Sequence, residues 1–163
     1  MSAKFSENDA FTDLLLKARH FCAYAERCTY EVTQRVKKWT PDSHLYEDKL
    51  IEELKESGFL DEKRFIESYL RGHVLQKAWG MKKVKAHLAQ KQIDASEIDA
   101  VFEQSIPISK YKAVLLATAE KKWRLLKQKE ADSTKRQQKL IYFLQSRGFE
   151  WRYIEAILED LGE

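Results

Sequence analysis

Turning capacity is what most constrains this chain: five glycines and two prolines are spread through 163 residues. Sheet folds need frequent tight turns, and glycine and proline are the residues that make such turns accessible. A chain this poor in both is restricted to long helices with few connections. The apolar spacing agrees. Phe11, Leu14, Leu15, Ala18, Cys22 and Ala25 recur along one face of an amphipathic helix, with Ser6 and Asp9 placed for its capping box. Val32, Val36 and Trp39 predict a shorter helix that Thr40-Pro41-Asp42 breaks, and Tyr46, Leu50 and Leu54 resume on one face. Gly58 then supplies a left-handed C-terminal cap, with Phe59 placed to fold back on the last turn.

The pattern continues. Asp61 is placed to cap a helix that buries Phe65, Ile66, Tyr69 and Leu70, and Gly80 separates it from one carrying Met81, Val84 and Leu88. Asp94 and Glu97 open a short helix with Ile98, Val101 and Phe102. Pro107 and Ser109 start a long one through Tyr111, Val114, Leu115 and Leu126. The polar stretch from Gln128 to Thr134 reads as a flexible connection to a helix with Leu140, Ile141 and Leu144, closed by Gly148-Phe149. Ile154, Ile157, Leu158 and Leu161 mark the last helix.

An internal repeat organises these helices. Leu88, Ile93, Ile98 and Phe102 are separated by 5, 5 and 4 residues, and Leu144, Phe149, Ile154 and Leu158 repeat that spacing 56 residues later. Val36, Pro41, Tyr46 and Leu50 fit the same frame 52 residues earlier, with Pro41 a weak match. The competing explanation is chance agreement among helical stripes. The expected fold class is all-α: three tandem three-helix repeats, 8–58, 59–105 and 108–162, forming an elongated modular array.

Net charge is only +3, but it is unevenly placed: residues 109–147 carry 11 basic and 3 acidic side chains, a local +8. Such asymmetry points to a polyanion or an acidic protein partner. Lys82, Lys83 and Lys85 lie close together on one short helix; Lys121, Lys122, Arg124, Lys127 and Lys129 follow on a long one; Lys135, Arg136 and Lys139 begin the next. Phosphates attract such clusters through counterion release, and arginine also grips carboxylates. For any single lysine a solvated helix face is the simpler explanation. Trp79, Trp123, Trp151, Tyr142 and Tyr153 are able to stack on unpaired bases, although aromatics at helical spacing more often fill cores. Trp123, bracketed by Lys121, Lys122 and Arg124, is the exception of most interest.

Catalysis is not expected. The chain has no GxxxxGK[ST], GxGxxG or GxSxG motif, and carboxylate pairs such as Glu52-Glu53 fall on charged helix faces. His20, His44, His73 and His87 lack metal-ligand spacing, as do Cys22 and Cys28, so no metal or cofactor is expected. Two thiols without such spacing, no apolar run long enough to span a bilayer and no hydrophobic signal core predict a cytoplasmic protein with no membrane partner, expected to be monomeric.

Four segments carry a family resemblance. Arg27-Cys28-Thr29-Tyr30-Glu31-Val32 is similar to the Arg-x-Ser-x-x-Glu-Leu start of the second helix in RecX regulators. Gly58-Phe59-Leu60-Asp61-Glu62-Lys63-Arg64-Phe65 resembles their Gly-Tyr/Phe-Leu-Asp-Asp-x-x-Phe junction, the most specific of the four. Gly80 through Leu88 resembles Gly-x-x-x-Ile-x-x-x-Leu, and Arg147-Gly148-Phe149 the closing Arg-Arg-Gly-Phe. The likeness runs from about Leu14 to Asp160 and assigns structural motif positions to Arg27, Glu31, Gly58, Asp61, Gly80 and Gly148. Three positions depart from it. Cys28 replaces a capping serine, Trp79 stands beside Gly80, and Gln92 replaces the glycine before Ile93, so that turn is expected to close differently. The resemblance implies a protein that binds the RecA recombinase as its filament on single-stranded DNA and restrains its ATP hydrolysis, strand exchange and co-protease activity. Arg27 and Glu31, four apart and flanking a helix start, are expected to pair locally and fix the first bend. Two other readings of the residues stay open: an autonomous helix-turn-helix-like DNA-binding protein, and a helical-repeat protein-binding scaffold.

Overall fold

The computed structural model describes residues 7–161; Ser6, and with it the expected first capping box, lies outside them. Among the described residues there are nine α-helices and no strand. In chain order they are α1 Glu7–Tyr24, α2 Thr29–Trp39, α3 Glu47–Glu56, α4 Glu62–Leu70, α5 Met81–Ala89, α6 Ala95–Ser105, α7 Ile108–Lys129, α8 Ser133–Ser146 and α9 Trp151–Leu161. A 3₁₀ turn, Ser43–Leu45, precedes α3, and a π-helical segment, Arg71–Gln76, continues α4. The chain forms two compact units, Met1–Ser68 and Tyr69–Glu163.

In the first unit α1, α2 and α3 bury the stripes read from the sequence, except that α1 ends at Tyr24 and Ala25, expected on its stripe, is exposed. Phe11, Leu14, Ala18 and Cys22 of α1 meet Val32 and Val36 of α2 and Leu50 and Leu54 of α3. Burial raises the Cys22 thiol pKa, the main effect on it, so this buried thiol sits as a small core hydrophobe. At the first bend the Arg27 guanidinium lies 4.0 Å from the Phe21 ring centre, and its Nε donates to the Phe21 carbonyl at 3.4 Å. Cys28 occupies the N-cap of α2 in a capping box, with the Glu31 carboxylate accepting the Cys28 N–H at 3.3 Å. The thiol thus serves at a position that usually favours a hydroxyl.

The junction after α3 explains its density of charged residues. Gly58 is left-handed (φ +76°), and the Phe59 N–H returns to the Leu54 carbonyl at 2.9 Å. Asp61 Oδ1 accepts the Arg64 N–H at 3.0 Å, capping α4 as expected. Glu62 reaches back 33 residues to accept the Thr29 N–H at 2.9 Å, capping α2. Arg64 pairs with Glu26 at 2.6 Å and donates to the Gly58 carbonyl at 3.0 Å.

In the second unit α5 starts against the end of α8, and that contact explains two glycines. The backbones at Gly80 and Gly148 approach so closely that a Cβ on Gly80 would lie 2.1 Å from the Gly148 carbonyl carbon. The open donors at the start of α5 find acceptors there. Gly80 N–H bonds the Arg147 carbonyl at 2.7 Å, Lys82 N–H the Gly148 carbonyl at 3.0 Å, and Met81 N–H the Tyr111 hydroxyl at 3.0 Å. The first N–H groups of any helix lack intrahelical partners, and this one has no side-chain cap of its own. Arg147 closes the clasp from the other side by donating to the Lys77 and Ala78 carbonyls. Tyr111 is fully buried and donates to Glu150 at 2.6 Å. Burial and that bond raise its phenolic pKa far above the ordinary 10.0.

Two local expectations are corrected. The turn at Gln92 closes in the usual left-handed way: Gln92 itself takes φ +58°, and Ile93 N–H bonds the Leu88 carbonyl at 3.2 Å. The equivalent closure at Gly148 has φ +90° with Phe149 N–H on the Leu144 carbonyl, also at 3.2 Å. The repeat spacing therefore reflects the same C-terminal cap on α5 and α8, with glutamine carrying the cost of the left-handed backbone. The second correction concerns Gln128 to Thr134. Helix α7 runs on to Lys129 and α8 begins at Ser133, leaving a three-residue corner. Asp132 caps α8 by accepting the Lys135 N–H at 3.0 Å; Arg136 donates to the Glu130 and Ala131 carbonyls at 2.9 and 2.7 Å; Lys139 pairs with Glu130 at 2.7 Å. A polar run is here a stapled corner rather than a flexible link.

Candidate functional site

Because the corner is so short, α7 and α8 lie side by side as a hairpin, and their side chains frame a groove of about 460 Å³. Lys122 and Leu126 line it from α7; Lys135, Gln138, Lys139, Tyr142, Phe143 and Ser146 line it from α8. A second groove of about 500 Å³ shares Lys122 and Phe143 with the first. It extends along Lys121, Leu125 and Arg147 to Lys77 and Ala78. The two make one surface on which Lys77, Lys121, Lys122, Lys135, Lys139 and Arg147 border exposed apolar side chains, Tyr142 at 75% and Leu125 at 46% exposure. Phe143 lies under two of the cations, Lys122 at 4.8 Å and Arg147 at 5.6 Å from its ring centre. Glu130 tempers the charge at one end: its bond from Lys139, then one from the Asp132 N–H, hold its carboxyl below the ordinary pKa.

The basic residues singled out from the sequence thus divide. Lys121, Lys122, Lys135 and Lys139 come together. Lys127 and Arg136 lie instead in a separate cleft of about 290 Å³, beside Trp123 and near Leu140, Leu158 and Leu161. Both cations sit over the Trp123 ring, at 5.8 and 5.7 Å from its centre, and Arg136 is committed to the corner. Arg124 and Lys129 are exposed on α7, outside these clefts. On α5, Lys85 pairs with Asp99 at 2.5 Å, Lys83 lies over Trp79 at 4.3 Å, and Lys82 is exposed. Trp79 belongs to a ring stack: Tyr69 and His73 at 3.8 Å, His73 and Trp79 at 4.6 Å, Trp79 and His87 at 4.7 Å. Tyr153 packs edge-on against Tyr111 at 5.6 Å, and Trp151 is 44% exposed.

Lys77 and Arg147 were not among the sequence candidates. Lys77 is an isolated lysine in the sequence, and Arg147 reads there only as part of a closing motif. Local pattern carries no sign that they meet, because 70 residues separate them. Among the described residues no group of His, Cys, Asp and Glu is placed to hold a metal ion, and no helix is long and apolar enough to cross a membrane.

Comparison with known proteins bears on the same segments. A family model described as the second three-helix domain of RecX matches residues 61–101, and one described as its third three-helix domain matches residues 111–158. Regulatory protein RecX of Clostridium tetani is 36% identical over 114 residues, which cover 70% of this chain and 51% of that protein. Its namesake from Oceanobacillus iheyensis is 28% identical over 144 residues, covering 87% and 51%. The matches to these two relatives span about half of their length. In fold, the crystal structure of RecX from Lactobacillus salivarius is similar with a TM-score of 0.83 at 21% identity, covering 95% of this chain and 98% of that one. A second crystal structure, of regulatory protein RecX, gives 0.75 at 22% identity, covering 96% and 79%. The two matched segments take in more than half of the sequence, in the order in which the domains follow one another, and the chain belongs to the RecX family of regulatory proteins.

Proposed function

We propose that this chain binds a RecA-type recombinase assembled on single-stranded DNA, in the cytoplasm, and restrains the filament's ATP hydrolysis, strand exchange and co-protease activity. The observation that carries the reading is the α7–α8 surface. Cations from both helices, joined by Lys77 and Arg147, edge one groove with exposed apolar side chains on it. Family membership and the regulatory names of the relatives support it. Clustered lysines and arginines favour phosphates and carboxylates alike, and both groups occur on a nucleoprotein filament. Tyr142 adds an exposed ring of the kind that stacks on unpaired bases.

The test is anisotropy of labelled single-stranded DNA carrying the cognate recombinase, titrated with the chain at two salt concentrations. Lys121→Glu, Lys122→Glu and Lys135→Glu together are expected to weaken binding by more than about tenfold at low salt and to flatten the salt dependence. Helicity should be retained, since these side chains lie at the surface. Unchanged affinity at low salt overturns the assignment of this surface. The same titration on DNA without recombinase reports direct strand contact.

A further inference from the structure

The third three-helix segment has another groove, between α7 and α9, that shares no residue with the basic surface. Its volume is about 580 Å³, and no residue of α8 lines it. Ala113, Leu115 and Leu116 from α7 and Ala156 and Ile157 from α9 form an apolar lining, with Leu116 36% exposed. The two helices run parallel here. Tyr111 and Tyr153 meet near their starts, while Trp123, Leu158 and Leu161 share a cleft near their ends. Charge is distributed by position. Lys112 and Arg152, near the two helix starts, both flank the Tyr153 ring, at 5.7 and 4.6 Å from its centre. Asp160 lines the other end. Among the described residues none of the three has an ion-pair partner.

We propose that this groove receives one amphipathic α-helix of a partner protein, lying antiparallel to α7 and α9, with its C-terminal end at Lys112 and Arg152 and its N-terminal end at Asp160. The polarity follows from the helix dipole, which places partial negative charge at the C-terminus and partial positive charge at the N-terminus. Antiparallel packing on α7 and α9 repeats the orientation that α8 takes against them and gives a bundle-like arrangement. The lining covers about two turns of each helix, so a docked helix presents apolar anchors at i, i+4 and i+7. Alanine at 113 and 156 leaves room for those anchors. An apolar lining with cations at one end only, and a carboxylate at the other, does not track a phosphate backbone. The groove lies apart from the surface assigned to the proposed function, and binding to it is tested without recombinase, with DNA entering only as a competitor.

Two fluorescein-labelled, hydrocarbon-stapled peptides with the same leucine stripe provide the probes. One carries lysine in the first turn and glutamate in the last, and the other has these charges exchanged. The wild-type chain should bind the first about tenfold more tightly than the second. The triple variant Lys112→Glu, Arg152→Glu, Asp160→Lys should reverse that preference, and Ala156→Trp should abolish binding of both. All four positions are exposed, and circular dichroism checks that each variant stays folded. The proposal is overturned if neither peptide binds, or if both bind equally to wild type and variant. It is also overturned if oligothymidylate displaces the peptide, or if sedimentation shows a dimer that Leu116→Glu dissolves, which would give the groove to a second copy of the chain.

Discussion

Gly80→Ala isolates the packing role of one glycine. Gly80 has φ −77° and ψ 160°, a conformation open to any residue, so alanine incurs no backbone penalty there. Its methyl would stand 2.1 Å from the Gly148 carbonyl carbon and 2.2 Å from the Gly148 oxygen and the Phe149 nitrogen. Ordinary carbon contacts are about 3.5–4.0 Å, so the two backbones must separate by roughly 1.5 Å. That stretches the Gly80 and Lys82 N–H bonds to the Arg147 and Gly148 carbonyls, now 2.7 and 3.0 Å, past useful length. Two lost bonds to poorly solvated donors cost about 1–3 kcal/mol each, and residual strain adds to them. A smaller unfolded-state entropy returns up to about 1 kcal/mol. The net loss of about 3–5 kcal/mol corresponds to a fall in Tm of roughly 10 °C for a chain of this size. Differential scanning calorimetry measures it, with Gly72→Ala as control, because nothing lies within 4 Å of a methyl there. A Gly80→Ala protein melting within about 2 °C of wild type would refute the clasp.

Other consequences follow from the same contacts. Tyr111→Phe removes the acceptor of the buried Met81 N–H and should cost about 1–3 kcal/mol in urea unfolding. Because the folded state holds that phenol protonated, its contribution is complete below the unfolded value near 10 and is lost as pH rises beyond it. Wild type should therefore lose more stability than Tyr111→Phe between neutral pH and strong alkali. Gln92→Gly relieves the left-handed strain and should stabilise by about 0.5–1 kcal/mol, read as a higher urea midpoint. Asp61→Ala removes an N-cap and should cost about 1 kcal/mol by the same assay.

Much of this was readable from spacing. The stripe from Phe11 to Cys22, the cap at Asp61 and the left-handed closures at Gly58 and Gly148 each depend on residues within one or two helical turns. The matching spacing of Leu88-Ile93-Ile98 and Leu144-Phe149-Ile154 reports a real shared turn. What local pattern misses is long-range. Gly80 looks like any turn glycine, and its reason for lacking a side chain lies 68 residues away at Gly148. The stretch from Gln128 to Thr134 is polar because its charges bond one another across the corner, and polarity alone does not separate that from a solvated loop. Charge counting also overstates the basic surface. It adds Lys85, which pairs with Asp99, and Arg136, which is bonded to the backbone of the corner, and passes over Lys77, which the fold brings to the groove.

Single-stranded-DNA-dependent ATP hydrolysis by the cognate RecA reports whether this chain regulates a recombinase filament. Adding the chain to preformed filaments should lower the steady-state rate in a dose-dependent way, and the Lys121, Lys122 and Lys135 charge reversal should largely restore it. A rate unaffected by a saturating excess of the folded wild-type chain, with no association detected between them, would rule out filament regulation by this chain.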